Sequence, residues 1–193
     1  MQDVQSREDG RGIAIQRVGV KDVRLPFLIK KQTGGYQQVL ATITFTVSLP
    51  MEFKGTHMSR FLEILLPWRE KPLAEEEMDA MLTEALDRLH AEAAEVRLAF
   101  TYFLEKSAPV SRRTSLLDVD ASFTGRKRRG MPMEFELGLS MPFTSLCPCS
   151  KEISSYGAHN QRSRARVRLR FHAGVPCIYI EDLASLLEQQ GSA

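Results

Sequence analysis

The sequence predicts an α+β fold with antiparallel sheets, and three features of it lead there. Apolar and polar residues alternate in stretches separated by turns, the mark of half-buried strands. Two stretches with helical spacing lie between the first pair of strands and the second. A strand-strand-helix order then begins again after residue 130. Residues 20–124 read strand-strand-helix-helix-strand-strand, and residues 125–193 read strand-strand-helix, half of that unit repeated. Residues 1–19, polar and with glycines at Gly10, Gly12 and Gly19, read as an N-terminal arm or long loop.

Each element has its reason. Val23 to Ile29 is apolar, but Pro26 removes a ladder donor, so an edge or bent strand is expected. Gly34-Gly35 marks a hairpin turn. Ala41, Ile43, Phe45 and Val47 alternate with Thr42, Thr44 and Thr46, a strand with β-branched residues on both faces. Met58, Phe61, Leu62 and Leu65 fall at helical spacing, and Pro67 is expected to stop that helix. A longer helix follows Pro72, with Met78, Met81, Leu82, Ala85, Leu86 and Leu89 as its apolar stripe. Glu75 to Glu77 suit its first turn, where the helix dipole favours acids. Period two returns at Leu98, Phe100, Tyr102 and Leu104, and again at Leu117, Val119, Ala121 and Phe123. Gly125 to Gly130 is expected to be a basic, solvated loop closing the first unit. Met133, Phe135, Leu137, Leu139 and Met141 open the second. A long turn region is expected from Pro142 to Gln161, then a strand at Ala165, Val167, Leu169 and Phe171. A short helix with Leu183, Leu186 and Leu187 ends near Gln189.

Composition narrows the class. The chain has 193 residues, 43% hydrophobic and 26% charged, which excludes a disordered or collagen-like chain. No apolar run has the length of a membrane helix, and the polar start lacks a secretory h-region. Three cysteines make no disulfide framework and suit the cytoplasm. A net charge of +2 is low for a protein that coats itself in polyanion, though local patches can still bind one.

Chemistry concentrates between Ser145 and Ser163. Cys147 and Cys149 are two residues apart, so in extended chain both thiols face one side. His159 follows, with a loop long enough to turn back. A thiolate and an imidazole suit zinc or a similar transition metal, and such a site can activate water. Spacing alone admits a second reading, in which the cysteines are small core residues and His159 bonds locally. Cys177 reads as core, His90 as solvated and His172 as structural. His57 and Arg60 sit at a helix start, where free N–H groups can bind an anion; Thr56 or Ser59 acting as a cap is the plainer reading. Arg162, Arg164, Arg166, Arg168 and Arg170 put five guanidinium groups on one face of a strand. Solvation, or pairing with Glu134 and Glu136 next door, accounts for most of them. Arg162 and Arg164, nearest the cysteine loop, can take a polyphosphate.

Several separated motifs together resemble the type IB GTP cyclohydrolases. They are Asp3-Val4-Gln5-Ser6-Arg7, Gly19-Val20 running on to Leu25-Pro26, and Lys54-Gly55-Thr56-His57-Met58-Ser59-Arg60-Phe61. The most specific is Cys147-Pro148-Cys149-Ser150-Lys151-Glu152-Ile153 leading to Gly157-Ala158-His159-Asn160-Gln161-Arg162-Ser163. The resemblance implies the tunnelling fold, tandem units of two strands, two helices and two strands, assembled as a homotetramer. It implies hydrolysis of GTP to dihydroneopterin triphosphate and formate, with water attacking the imidazole carbon of guanine. It implies Cys147 as the essential thiolate ligand and His159 as the second ligand or its close partner, holding manganese, iron or zinc. Cys149 would stand beside the ligands. Sites in this fold commonly lie between subunits, and His57 and Arg60 are candidates to reach across.

Members of that family usually continue well past the length of this chain. The resemblance implies that the further stretch carries an acidic metal ligand, the glutamate that anchors guanine and a late histidine. Taken as 193 residues, the chain is expected to have an incomplete second unit and an incomplete active site, with weak metal binding and little or no activity. Taken as part of a longer protein, it is expected to be the enzyme. Other classes are a nucleic-acid-binding module using the Arg162–Arg170 face, and an inactive oligomeric shell. Against the first, the other side of that strand is Ala165, Val167 and Leu169, which reads as core and offers no stacking platform.

Overall fold

The computed structural model describes residues 14–49, 51, 56–107, 112–146, 148–153, 160–172 and 174–190. The elements are β1 (Ile15–Lys30), β2 (Tyr36–Leu49), α1 (Met58–Trp68), β3 (Pro72–Leu73), α2 (Glu75–Arg88), β4 (Ala93–Ser107), β5 (Thr114–Arg128), β6 (Glu134–Leu146), α3 (Pro148–Ile153), β7 (Asn160–Phe171) and α4 (Ile180–Gln189). They make one seven-stranded sheet in the order β3-β1-β2-β4-β5-β6-β7, antiparallel except where β1 meets the two residues of β3. The expected α+β class and antiparallel pairing are what the structure has.

Alternation decides the faces. Ala41, Ile43 and Phe45 on β2, Val96 and Leu98 on β4 and Leu137 on β6 are fully or almost fully buried. Their intervening neighbours, among them Thr42, Thr44, Arg97 and Glu136, form the polar face. α1 and α2 pack against the apolar side, and Phe61 meets Phe45 edge-on with ring centroids 5.1 Å apart. Trp68 donates its indole N–H to Glu84 on α2 at 2.8 Å, tying the two helices together. α4 covers the rest of that side, with Ile180, Leu183 and Ala184 buried.

Several expectations need correcting. β1 begins at Ile15, inside the expected arm, because Val18, Gly19 and Val20 find partners on β2. It bends through register shifts between Ile15 and Val18 and between Val20 and Val23, with Asp22 at a φ of 58° in the second. Pro26 is tolerated because, among the described residues, β1 meets another strand on its outer side only at Leu28 and Ile29. The stripe of α1 is rotated from the expected one. Phe61, Ile64, Leu65 and Trp68 are buried, while Met58 and Leu62 are 42% and 38% exposed. The helix runs one residue past Pro67 before ending. In α4 Leu186 faces outward, and Ile180 takes its place in the core.

The expected basic loop is a strand. β5 continues through Gly125 to Arg128, and the tight turn lies beyond it. Arg126, Lys127 and Arg129 are drawn into ion pairs with Glu95 at 3.1 Å, Asp79 at 2.6 Å and Asp87 at 2.8 Å. The sheet is therefore continuous through residue 125, where the second unit was expected to begin. The expected turn region from Pro142 to Gln161 is also shortened. Pro142 to Leu146 extend β6, Asn160 begins β7, and α3 lies between. Alternation fades there because the extra pairs have little core to bury.

Candidate functional site

Cys147 and His159 lie outside the described residues, as do the motif residues 3–7, Lys54, Gly55, Gly157 and Ala158. Their described neighbours are informative. Leu146 and Asn160 are cross-strand partners and close the β6–β7 ladder. Cys149, on α3, is an exposed free thiol. Among the described residues no three His, Cys, Asp or Glu groups gather to hold a metal.

The arginine row stands as expected on the polar face of β7, and all five side chains are exposed. Its members differ in company. Arg170 reaches Glu136 on β6 at 3.6 Å, as anticipated. Arg164 leans across β6 toward β5, its Nη1 donating to the Ser140 hydroxyl on β6 at 3.2 Å and to Asp120 on β5 at 3.0 Å. Among the described residues no carboxylate pairs with Arg162, Arg166 or Arg168. Arg162 lies opposite Thr144 and Arg164 opposite Pro142, so Arg162 is the nearer to the Leu146–Asn160 end.

His57 is the N-cap residue of α1, in extended geometry and without a side-chain cap bond. The cap is therefore neither Thr56, which is buried, nor Ser59, which is inside the helix. Arg60 donates its backbone N–H to the His57 carbonyl at 3.1 Å. Both sit one turn or less from Phe61, which packs on Phe45. The ladder row of Phe45 runs through Val96, Gly125 and Phe135 to Phe171. Leu146 is eleven residues beyond Phe135 on β6, about 35 Å along a strand. Within one chain the fold holds His57 and Arg60 apart from Arg162 and the residues flanking Cys147 and His159.

Two other titratable groups are strongly perturbed. Cys177, expected in the core, is half-buried beside a cavity of about 280 Å³ that Lys30, Glu75 and Tyr179 help to line. Burial pushes its thiol pKa well up, and a hydrogen bond and charge interaction with Glu75 raise it further. Tyr102, buried on β4, donates to Glu181 at 2.6 Å. Desolvation, then the Glu181 hydrogen bond and charge, lifts its phenol far above the usual range. The other Glu181 carboxylate oxygen is buried without a hydrogen-bond partner among the described residues. His90, at a φ of 51° after α2, and His172, just after β7, are both exposed.

Asp120 and Ser140 were not anticipated as companions of Arg164. The alternation of Asp118 and Asp120 marks them as outward-facing. A contact spanning three strands becomes legible only with the register in hand.

No helix among the described residues is long and apolar enough to cross a membrane. The family model described as type I GTP cyclohydrolase folE2 matches residues 1–193. A GTP cyclohydrolase FolE2 of Azoarcus sp. is 46% identical over 190 residues, which is 98% of this chain and 69% of the relative. One from Geobacter metallireducens is 46% identical over 193 residues, 100% of this chain and 72% of the relative. A third, from Magnetococcus marinus, is 45% identical over 192 residues, 100% of this chain and 71% of its own length.

Proposed function

The chain belongs to the type I GTP cyclohydrolase folE2 family, and from that premise we propose that it hydrolyses GTP to 7,8-dihydroneopterin triphosphate and formate. This is the first step of folate and pterin biosynthesis, and a cytoplasmic setting suits it. The observation that carries the reading is the family match over the whole of residues 1–193. Apart from the two-residue β3, β1 to β5 follow the strand-strand-helix-helix-strand-strand order of a tunnelling-fold unit, and β6-α3-β7-α4 follows it, which supports the tunnelling-fold reading.

Cys147 and His159 are the proposed metal ligands, with Cys149 beside them. A thiolate and a neutral imidazole suit a divalent manganese, iron or zinc ion. When bound, such an ion supplies a Lewis acid that makes water a competent nucleophile at neutral pH. The pairing of Leu146 with Asn160 supports this placement, since each is one residue from a proposed ligand. Water attacks the imidazole carbon of guanine, the ring opens, formate leaves, and the remainder recloses with ribose carbons. Arg162 and Arg164 hold the triphosphate, for which a guanidinium fork is well shaped. His57 and Arg60 contribute to the same site from a neighbouring subunit of a homotetramer. Their separation from the Leu146–Asn160 end of the β6–β7 ladder within one chain, about 35 Å by strand length, supports that assignment.

The test is formate release and pterin fluorescence from GTP with added manganese or zinc, on the protein and on Cys147→Ala. Metal-dependent turnover lost in the variant is expected. Turnover that survives the substitution overturns the role of Cys147. A full-length protein that releases no formate under any metal overturns the reaction.

A further inference from the structure

The arginines of β7 alternate on one face, yet they are held differently. Arg164 leaves its own ladder position, opposite Pro142, and leans toward the row of Ser140. One nitrogen, Nη1, meets both Asp120 at 3.0 Å and Ser140 at 3.2 Å. Asp120 and Ser140 are themselves ladder partners on β5 and β6, so the two acceptors stand side by side on a rigid platform. A guanidinium carries five N–H donors in a planar fork. Fixing one corner orients the rest, and no other hydrogen bond or ion pair of the Arg164 guanidinium is found among the described residues. Arg166, the ladder partner of Ser140, stands beside it with no carboxylate partner among the described residues.

We propose that Asp120 and Ser140 position the Arg164 guanidinium, beside Arg166, to bind the triphosphate of the nucleotide substrate. The inference rests on the GTP reading for the identity of that polyphosphate. The chemistry it needs is general. A long, exposed arginine loses rotamer freedom when it grips an anion, and a neighbour that has already ordered it lowers that cost. Asp120 is a positioning residue and touches no substrate atom.

The sign of one substitution separates this role from that of an ordinary surface ion pair. Asp120 is 69% and Arg164 46% exposed at the side chain, so their contact adds little to stability. If Asp120 merely neutralised Arg164, Asp120→Asn would free a cation and remove a repelling carboxylate, and polyphosphate would bind more tightly. If Asp120 positions Arg164, the same change weakens binding.

The experiment measures inorganic tripolyphosphate affinity by titration calorimetry on the full-length protein, with GTP KM and kcat in parallel. Asp120→Asn is expected to weaken tripolyphosphate about fivefold, the scale of one exposed charge contact. KM for GTP should rise in step while kcat holds. Arg164→Gln should do at least as much, and adding Asp120→Asn to it should do nothing more. Ser140→Ala should move affinity the same way by less. Glu136→Gln, which breaks the ion pairs to Arg126 and Arg170, should leave tripolyphosphate affinity unchanged. Tighter or equal binding by Asp120→Asn overturns the proposal, as does wild-type protein that does not bind tripolyphosphate. Absence of GTP turnover with the expected binding pattern intact would instead overturn the cyclohydrolase reading and leave the arginine site standing.

Discussion

The surroundings of Cys177 favour its protonated thiol. Apolar neighbours penalise a thiolate there, and the thiol is a donor to Glu75, a bond an ionised sulfur cannot make. Its folded pKa is raised, so its contribution to stability is complete below the unfolded thiol's pKa, about 8.5. As pH rises above that, the unfolded chain releases a proton that the folded chain keeps, and stability declines toward the folded value. Urea midpoints measured from pH 7 to pH 10 should therefore fall, and Cys177→Ala should flatten the alkaline part of the curve. The same slope in both proteins would mean that Cys177 is not the group responsible. Cys149 differs in being an exposed thiol, and the two cysteines need not share chemistry because they share a side chain.

Among the elements, β1 shows how much a single glycine decides. A Cβ at Gly19 would lie 2.0 Å from the Phe45 carbonyl oxygen and 2.8 Å from the Thr46 Cα. Both atoms are backbone of β2, which cannot step aside without breaking the ladder. Gly19→Ala should cost about 1–3 kcal/mol, read by chemical denaturation. An unchanged midpoint would mean that β1 and β2 are further apart here than the structure has them. On the polar face a row of alternating charge joins β1, β4, β5, β6 and β7. It runs from Arg17 to Glu95 at 2.8 Å, to Arg126 at 3.1 Å, to Glu136 at 3.7 Å and to Arg170 at 3.6 Å. Such a row helps to fix strand register, because a slip of one residue would move each charge to the other face. Arg126 looked like part of a solvated loop because its partners are far away in sequence.

At the scale of the whole molecule, the two edges of the sheet matter most. Among the described residues, β7 pairs only with β6, and the outer side of β1 is covered only at Leu28 and Ile29. Long strands with unpaired backbone groups associate unless something blocks them. The proposed homotetramer should appear in sedimentation velocity and persist on dilution. A monomer throughout the dilution series would contradict it, and would also leave His57 and Arg60 without a route to the proposed site.

The sequence by itself determined most of the elements and the family. Periods of two and of 3.6 are properties of the backbone, so Ala41 to Val47 and Met78 to Leu86 could be read without knowing their neighbours. The motif from Cys147 to Ser163, the most specific part of the family resemblance, needed no coordinates either. Only the tertiary structure decided what depends on register and on partners distant in the chain. It carried β5 through Gly125–Arg128, turned Met58 and Leu62 outward, separated His57 from Arg162 within one chain, and set Arg164 against Asp120. Each of these is an outcome of strand pairing or helix docking between residues far apart in sequence, and no local pattern encodes the distance between them.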